Sequence, residues 1–406
     1  MGTTTHGLRD YAVVTGAYWV FTLTDGAIRT LVLLHLNELG YTPLEIAGMF
    51  AAYEVLGVLT NLVGGWLGAR FGLKLPLGLG LLLQAATLGV LGVAADGLTL
   101  ALLVGGQSAC GVAKDLVKTS AKSYVKLVVP AGERGRLLRL VSVLTGSKNA
   151  LKGLGFLLGG VLLASVGFGA ACSGMAVALV LACGASMALL PSAPGKAQGV
   201  RPSSLFSDDA RLNWLAAARL FLFASRDAWF VLAVPVFLRS DLAWSYAAVS
   251  GFLAAWTVGY GLVQAAAPRA IGAHPRGAQV APFALASLVP LVAIAALLAA
   301  GVPPGATLVV GLVAFGVVFA LNSALHSYLV VEYAAHDRPA ASVGFYYASN
   351  ATGRLLGTLL SGAVFAAAGL GADGVVACLV AAAVLTALSA ALAVPLAAAE
   401  RRHAVR

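Results

Sequence analysis

The chain has 406 residues, of which 60% are hydrophobic and only 10% are charged, with a formal net charge of +10. A soluble globular domain carries roughly 25% charged residues, so this composition excludes an ordinary soluble enzyme and indicates a polytopic membrane protein. Because loop charge in such a protein mainly sets topology, the excess of positive charge does not predict a nucleic-acid partner.

The hydropathy pattern predicts an all-α protein in the lipid bilayer. Twelve apolar stretches are long enough to form membrane-spanning helices, near residues 10–36, 43–69, 75–95, 98–127, 137–165, 168–190, 212–238, 244–268, 279–300, 304–332, 341–368 and 373–398. The longest polar connection, residues 191–211, contains three prolines and is predicted to be a cytoplasmic linker. It separates a predicted N-terminal six-helix bundle, residues 1–190, from a C-terminal bundle, residues 212–406.

The loop charges predict the orientation of these helices. The lysines and arginines of the predicted loops and termini all lie on one side, with the exception of Arg239. Positively charged loops face the cytoplasm, so both termini are predicted to be cytoplasmic.

The two predicted halves carry related residues at a common spacing. Asp25 and Asp227 are 202 positions apart, and so are Gly155 and Gly357. The shared offset predicts two parallel six-helix repeats, related by an axis along the membrane normal.

The fourth predicted helix carries lysines where a lipid-facing helix would have none. Lys114, Lys118, Lys122 and Lys126 recur at steps of four and form a slowly winding stripe on one face. A charge at the bilayer centre costs at least about 2.5–3.5 kcal/mol, so the stripe needs water, a counter-charge or an anionic ligand. Lys114 and Lys118 are the deeper pair, whereas Lys122 and Lys126 are also compatible with snorkelling to the interface.

Charged and amide side chains in other predicted helices extend this pattern. The candidate substrate-binding residues are Arg29, Lys114, Lys118, Lys148, Asn149, Lys152, Arg226, Asn350 and Arg354, and the carboxylates available for charge pairing or proton coupling are Asp25, Asp115 and Asp227. Seven cations against three carboxylates leave an excess of four positive charges. This excess predicts a substrate with several negative charges, bound by arginine forks and lysine point charges.

Several positions keep two interpretations. Asp25 and Arg29 lie one turn apart and form either an internal ion pair or a proton carrier beside a substrate ligand. Arg219 is compatible with an interfacial position or with ligand binding. Asn322 and His326 are candidate polar contacts, and His326 fits a hydrogen-bonded packing role better than proton transfer.

No motif for catalysis accompanies these charges. The chain lacks the Gly-x-Ser-x-Gly, His-Glu-x-x-His and phosphate-loop patterns, and its four cysteines have no metal-ligand spacing. We therefore expect a monomeric transporter without a cofactor or metal site, driven by an ion gradient or by substrate exchange.

The connection after the second predicted helix reads GWLGARFGLK from residue 65. It resembles the signature of the major facilitator superfamily between its second and third helices, G-x-L-a-D-R-x-G-r-K. Gly65, Arg70, Gly72 and Lys74 match the positions of this gating loop, whereas Ala69 replaces the aspartate. The resemblance implies the major facilitator fold, in which twelve helices form two pseudo-symmetric six-helix bundles.

Longer segments resemble a particular branch, the ArsJ-type organoarsenical efflux permeases of bacterial arsenic-resistance operons. They read YWVFTLTDGAIR from residue 18, NLVGGWLGARFG from 61, AKDLVK from 113, LTGSKNALKG from 144 and ARLFLFASRDAWFV from 218. The resemblance implies export of 1-arseno-3-phosphoglycerate across the bacterial inner membrane. It also implies a functional partner, the glyceraldehyde-3-phosphate dehydrogenase that makes this ester.

The charge pattern is compatible with that implied substrate. The ester carries an arsenate and a phosphate, which suit a site of lysines and arginines, whereas trivalent arsenic would favour clustered thiolates. An organic phosphate/phosphate exchanger would use the same basic site. A third alternative, an intramembrane lipid-phosphate enzyme, lacks a recognisable nucleophile or metal motif.

Overall fold

A computed structural model describes residues 3–38, 43–130, 132–192, 195–196, 207–272, 274–335 and 339–404 of the chain. These residues form helices and connecting turns, with no strand among them. The helix Arg134–Leu189 is divided at Gly167, which has non-helical backbone angles, into α5 (134–166) and α6 (168–189). The other spans are α1 Thr3–Glu38, α2 Pro43–Phe71, α3 Lys74–Val93, α4 Leu100–Val128, α7 Ala210–Ser240, α8 Tyr246–Ala266, α9 Val280–Ala299, α10 Pro304–Tyr333, α11 Pro339–Ala367 and α12 Gly371–Ala404.

These twelve helices confirm the twelve spans predicted from hydropathy. Within the described residues, seven helical stretches are long and apolar enough to cross a membrane, and one of them contains both α5 and α6. α7 is broken after Phe230 and resumes at Ala233. Of the predicted linker at residues 191–211, the segments 193–194 and 197–206 lie outside the described residues, so the domain boundaries stay a prediction.

The repeat inferred from residue spacing is visible in the backbone. Gly167 joins α5 to α6 with φ of 77°, and Gly369 joins α11 to α12 with φ of 93°. These left-handed angles favour glycine, because a Cβ atom is strained there. The two turns are 202 residues apart and occupy equivalent places in the two six-helix bundles.

The same repeat governs helix packing within each half. A Cβ atom added to Gly155 would lie 3.0 Å from the Cα of Gly26, where α5 crosses α1. A Cβ atom added to Gly357 would lie 2.9 Å from the Cα of Ala224, where α11 crosses α7. Small residues let helix backbones approach closely in a membrane, where helix association relies on packing.

The two halves meet through α2 with α11 and through α5 with α8. A Cβ atom added to Gly65 would lie 3.0 Å from the Cα of Gly344, so α2 and α11 almost touch there. Nearer mid-span, a Cβ atom added to Gly57 would lie 3.9 Å from the Cβ atom of Ala351, the nearest atom of α11. The α2–α11 contact is therefore tightest toward the end of the bundle that carries Arg134, Arg211 and Arg402, which we call the arginine-rich end.

The α1–α5 crossing can be tested with two alanine substitutions in one helix. We expect Gly155→Ala to lower the thermal midpoint of the purified protein, because overpacking a close contact costs typically about 1–3 kcal/mol. Gly160→Ala is the control, since its added Cβ atom meets nothing within 4 Å. It should leave the midpoint unchanged or raise it slightly, because alanine is the better helix former. Equal midpoints for the two variants would contradict the tight crossing.

Candidate anion-binding site

The first group of intramembrane charges centres on Asp115 of α4. Lys118 Nζ donates to its Oδ1 at 2.5 Å, and Lys114 Nζ lies 4.0 Å from the same oxygen. Gly57 of α2 leaves room for this carboxylate, because a Cβ atom there would lie 2.9 Å from Asp115 Oδ2. The aspartate side chain is only 2% exposed, against 12% and 13% for the two lysines. The carboxylate thus lies behind the cations that it holds.

The second group joins α1 to α5. Lys152 Nζ lies 4.0 Å from Asp25 Oδ2, and Asp25 is buried where the two helices cross. Arg29, one turn further along α1, interacts electrostatically with Lys152. The close approach of Gly26 to Gly155 brings these side chains within reach of one another.

The third group joins α7 to α11 through Asp227. Arg226 Nη2 lies 2.5 Å from Asp227 Oδ1, and Arg354 Nε lies 3.4 Å from Oδ2. The exposed fraction is 2% for the aspartate side chain, 16% for Arg226 and 24% for Arg354. One buried carboxylate therefore orients two partly open guanidinium groups.

The second and third groups are counterparts in the internal repeat. Asp25 and Asp227 are 202 residues apart, and their partners Lys152 and Arg354 have the same spacing. The spacing of the aspartates was visible in the sequence, but their pairing with these cations was not. The two halves therefore present an equivalent acid–cation pair.

Together these side chains form the central cationic cluster, which we define as Arg29, Lys114, Lys118, Lys148, Lys152, Arg226 and Arg354. Lys148 Nζ donates to Asn149 Oδ1 at 3.1 Å and has no carboxylate within 4.0 Å among the described residues. It interacts electrostatically with Lys118, Lys114 and Arg354. A carboxylate behind a cation reduces the cost of burying that cation.

Aromatic rings, which the sequence interpretation did not include, flank the cluster. Lys118 Nζ lies 4.6 Å from the centre of the Tyr347 ring on α11, and the guanidinium of Arg226 lies 4.7 Å from that of Phe223. A cation over a ring face gains about 0.5–2 kcal/mol, depending on its exposure. The sequence shows these rings, but their contacts depend on how the helices are rotated.

The two predicted asparagines lie in a hydrogen-bond network that crosses between the halves. Asn149 Nδ2 of α5 donates to Gln264 Oε1 of α8 at 2.5 Å, and Asn350 Oδ1 of α11 accepts from Arg219 Nε at 2.9 Å. The full network contains Lys148, Asn149, Gln264, Tyr260, Ser323, Arg219 and Asn350. The central cationic cluster is therefore linked to polar side chains on both sides of the α5–α8 contact.

Three cations that were compatible with an interfacial position are buried instead. Lys122 is 2% exposed and donates to Thr145 Oγ1 of α5, and Arg219 is 3% exposed. Lys126 Nζ donates to the backbone oxygen of Glu332 at 2.8 Å. Neighbouring helices cover the faces on which these residues lie, so their side chains contact protein and do not extend along the lipid-facing surface.

The loop between α2 and α3 has the backbone that its sequence suggests. Gly72 has φ of 93°, and its N–H donates to the Gly68 oxygen to end α2. The guanidinium of Arg70 lies over the Trp66 ring at 5.3 Å, and Lys74 Nζ donates to the Leu190 oxygen at 2.8 Å. Ala69 is fully buried, so the aspartate of the signature is replaced by a packed side chain.

A twelve-helix bundle with a partly open cationic cluster at its centre has the architecture of a membrane transporter. A sequence model described as Major Facilitator Superfamily matches residues 14–234, more than half of the chain. The chain belongs to that superfamily, as the α2–α3 loop predicted. It is therefore a multi-pass membrane transporter and not an enzyme, which excludes the lipid-phosphate enzyme considered above.

Solved structures agree with this fold. The human organic anion transporter MFSD10 (TETRAN) has a TM-score of 0.71 at 18% identity, with 94% of this chain and 99% of that one covered. FucP in its outward conformation has a TM-score of 0.71 at 13% identity, with 96% of this chain and 99% of that one covered. A bacterial homologue of the iron transporter ferroportin, in its outward-facing state, has a TM-score of 0.72 at 12% identity, with 95% of this chain and 98% of that one covered. A search of curated protein sequences found no match.

The pairing of Asp227 with Arg354 can be tested with a double-mutant cycle. We expect Asp227→Asn to lower the thermal midpoint strongly, because breaking a buried ion pair typically costs about 3–5 kcal/mol. Adding Arg354→Gln should recover part of that loss, since it removes one of the cations left without a carboxylate. Strictly additive effects of the two substitutions would contradict the pairing.

Proposed function

We propose that this transporter exports a polyanionic organoarsenical ester, 1-arseno-3-phosphoglycerate, from the cytoplasm and thereby confers resistance to arsenate. It would act by alternating access in the bacterial inner membrane, with both termini in the cytoplasm. The observation that carries the proposal is the central cationic cluster. Three buried carboxylates, Asp25, Asp115 and Asp227, each contact at least one of its seven cations, which leaves an excess of four positive charges.

The distribution of the cluster fits a substrate with a charged group at each end. Lys114, Lys118, Lys148 and Lys152 belong to the N-terminal half, whereas Arg226 and Arg354 belong to the C-terminal half. An ester with an oxyanion at each end could contact both sets at once. Binding at the repeat interface is where alternating access requires the substrate.

Charge also separates this substrate from those of transporters with a similar fold. An iron cation would be repelled by the cluster, and a neutral sugar would not compensate its charge. An organic anion would compensate the charge of the cluster. Organic anions are the class named for the human transporter above. Trivalent arsenic prefers thiolates, but among the described residues no group of three or more cysteine, histidine or carboxylate ligands lies together.

The choice of the arsenical ester rests on the ArsJ-type segments. They contain Asp25, Arg29, Lys118, Lys148 and Arg226, so the resemblance and the cationic cluster involve the same residues. A second candidate, an organic phosphate/phosphate exchanger, would use the same cations. Uptake of labelled substrates into vesicles separates the two, because exchange requires phosphate on the opposite side.

The identity of the substrate can be tested in an arsenate-sensitive bacterium. We expect expression of this protein to lower cellular arsenic only when the glyceraldehyde-3-phosphate dehydrogenase partner is also expressed, because free arsenate lacks the second anionic group. The measurement is total cell arsenic, with each protein expressed alone as the control. Equal protection without the dehydrogenase would show that free arsenate is the substrate.

The role of the cluster can be tested by binding of 2,3-bisphosphoglycerate, a stable polyanion, to purified variants. We expect Lys148→Gln and Arg226→Gln to weaken binding about tenfold to more than a hundredfold, since each removes a charge-assisted bond worth about 1.5–3 kcal/mol. The thermal midpoint should change little in Lys148→Gln, whereas Arg226→Gln should lower it because Asp227 loses one of its two cations. Arg239→Gln, on the opposite loop side, is the control. Unchanged affinity in both cluster variants would refute the proposed site.

A further inference from the structure

Two buried cations outside the central cationic cluster lack carboxylate partners. Lys122 of α4 and Arg219 of α7 come from opposite halves of the protein. Among the described residues, neither has a carboxylate oxygen within 4.0 Å, and both are at most 3% exposed. As two cations, they repel each other electrostatically.

The neighbours of both cations are neutral. Arg219 Nε donates to Asn350 Oδ1 at 2.9 Å, and its Nη1 donates to Ser323 Oγ at 3.0 Å. Its guanidinium lies over the Phe223 ring at 3.9 Å, and Lys122 donates to Thr145. Neutral hydrogen bonds orient a charge but do not compensate it. A purely structural site would therefore gain from a carboxylate, as Asp115 and Asp227 provide elsewhere.

Other polar groups near Arg219 have no hydrogen-bond partner within the described structure. They are both ring nitrogens of His326 and the hydroxyl of Tyr346. The Tyr346 ring centre lies 5.5 Å from the Arg219 guanidinium, and Arg219 acts electrostatically on His326. None of these groups supplies a negative charge to Arg219.

A cavity of about 1100 Å³ lies between the two halves at the arginine-rich end, lined in part by Lys126, Arg134, Arg211 and Glu332. Inward from it, Lys122 lies about 6 Å from Lys126 along α4, and Arg219 about 12 Å from Arg211 along α7. The two cations thus lie between this cavity and the deeper members of the central cationic cluster.

Contacts between the two halves lie in the wall of this cavity. Arg134 Nε pairs with Glu332 Oε1 at 3.1 Å, and Lys126 Nζ donates to the Glu332 backbone oxygen at 2.8 Å. These contacts join the ends of α4 and α5 to the end of α10. Separation of the halves at this end would break them and would open Lys122 and Arg219 to the cavity.

We propose that Lys122 and Arg219 form a loading site for one tetrahedral oxyanion group, such as a phosphate or arsenate, on substrate arriving from the arginine-rich end. This inference rests on the proposed function. The substrate then passes along α4 to Lys118 and Lys114. When the halves close at this end with the site empty, the two like charges are buried without compensation, which favours reopening toward the next substrate.

The loading site predicts an effect on one face of the membrane only. Lys122→Met and Arg219→Met are compared with the wild type in transport of 2,3-bisphosphoglycerate by inside-out and right-side-out vesicles. We expect each variant to raise the apparent KM about tenfold or more at the arginine-rich face, and to leave the opposite face unchanged. Arg219→Lys keeps the charge and should restore most of the affinity.

The melting temperature provides a readout that does not depend on transport. Lys122→Met should keep or raise the thermal midpoint, because it removes an uncompensated buried charge. Lys118→Met is the matched control one turn away. It should lower the midpoint, because it removes a partner of Asp115, and should weaken affinity at both faces.

The alternative outcomes are distinguishable. Equal loss of affinity at both faces would assign Lys122 and Arg219 to the central site and overturn the loading site. A lower midpoint with unchanged affinity would make them structural and overturn it as well. If Lys148→Gln and Arg226→Gln also leave affinity unchanged, the proposed function itself fails. If those two weaken binding while the loading variants do not, only the loading site fails.

Discussion

A cation inside a lipid bilayer needs a counter-charge or polar partners to offset its loss of hydration. This requirement accounts for much of the interior of the protein. Asp25, Asp115 and Asp227 are each almost completely buried and each faces at least one lysine or arginine. The carboxylates stabilise the cations, yet they are too few to neutralise them. The cluster therefore keeps an excess of positive charge, for which we propose an anionic substrate as the compensating group.

Glycine packing makes these ion pairs geometrically feasible. Gly155 lets α5 approach α1 beside Asp25, and Gly357 lets α11 approach α7 beside Asp227. A larger residue at either position would separate the helix backbones and lengthen the adjoining acid–cation contact. The two halves use the same solution at equivalent positions, so the internal repeat preserves an electrostatic arrangement as well as a fold.

Opposing electrostatic forces act at the arginine-rich end. Glu332 draws Arg134 and Lys126 toward α10 and so holds the halves together. Immediately inward, Lys122 and Arg219 repel each other. Among the described residues, neither has a carboxylate partner. Closure at this end is therefore a balance of attraction and repulsion. An alternating-access transporter benefits from such a balance, because neither conformation should be too stable to leave.

The twelve helices, the repeat and the identities of the deep charges were predictable from the sequence, because hydropathy and helical periodicity are local properties of the chain. The sequence could not determine that Lys152 faces Asp25, that Tyr347 covers Lys118, or that Asn149 contacts Gln264. It also left Lys122, Lys126 and Arg219 free to lie at the interface. These partners and the burial of these cations follow from the packing of the helices. The burial and partner of a side chain depend on which helix covers its face and on how each helix is rotated about its own axis.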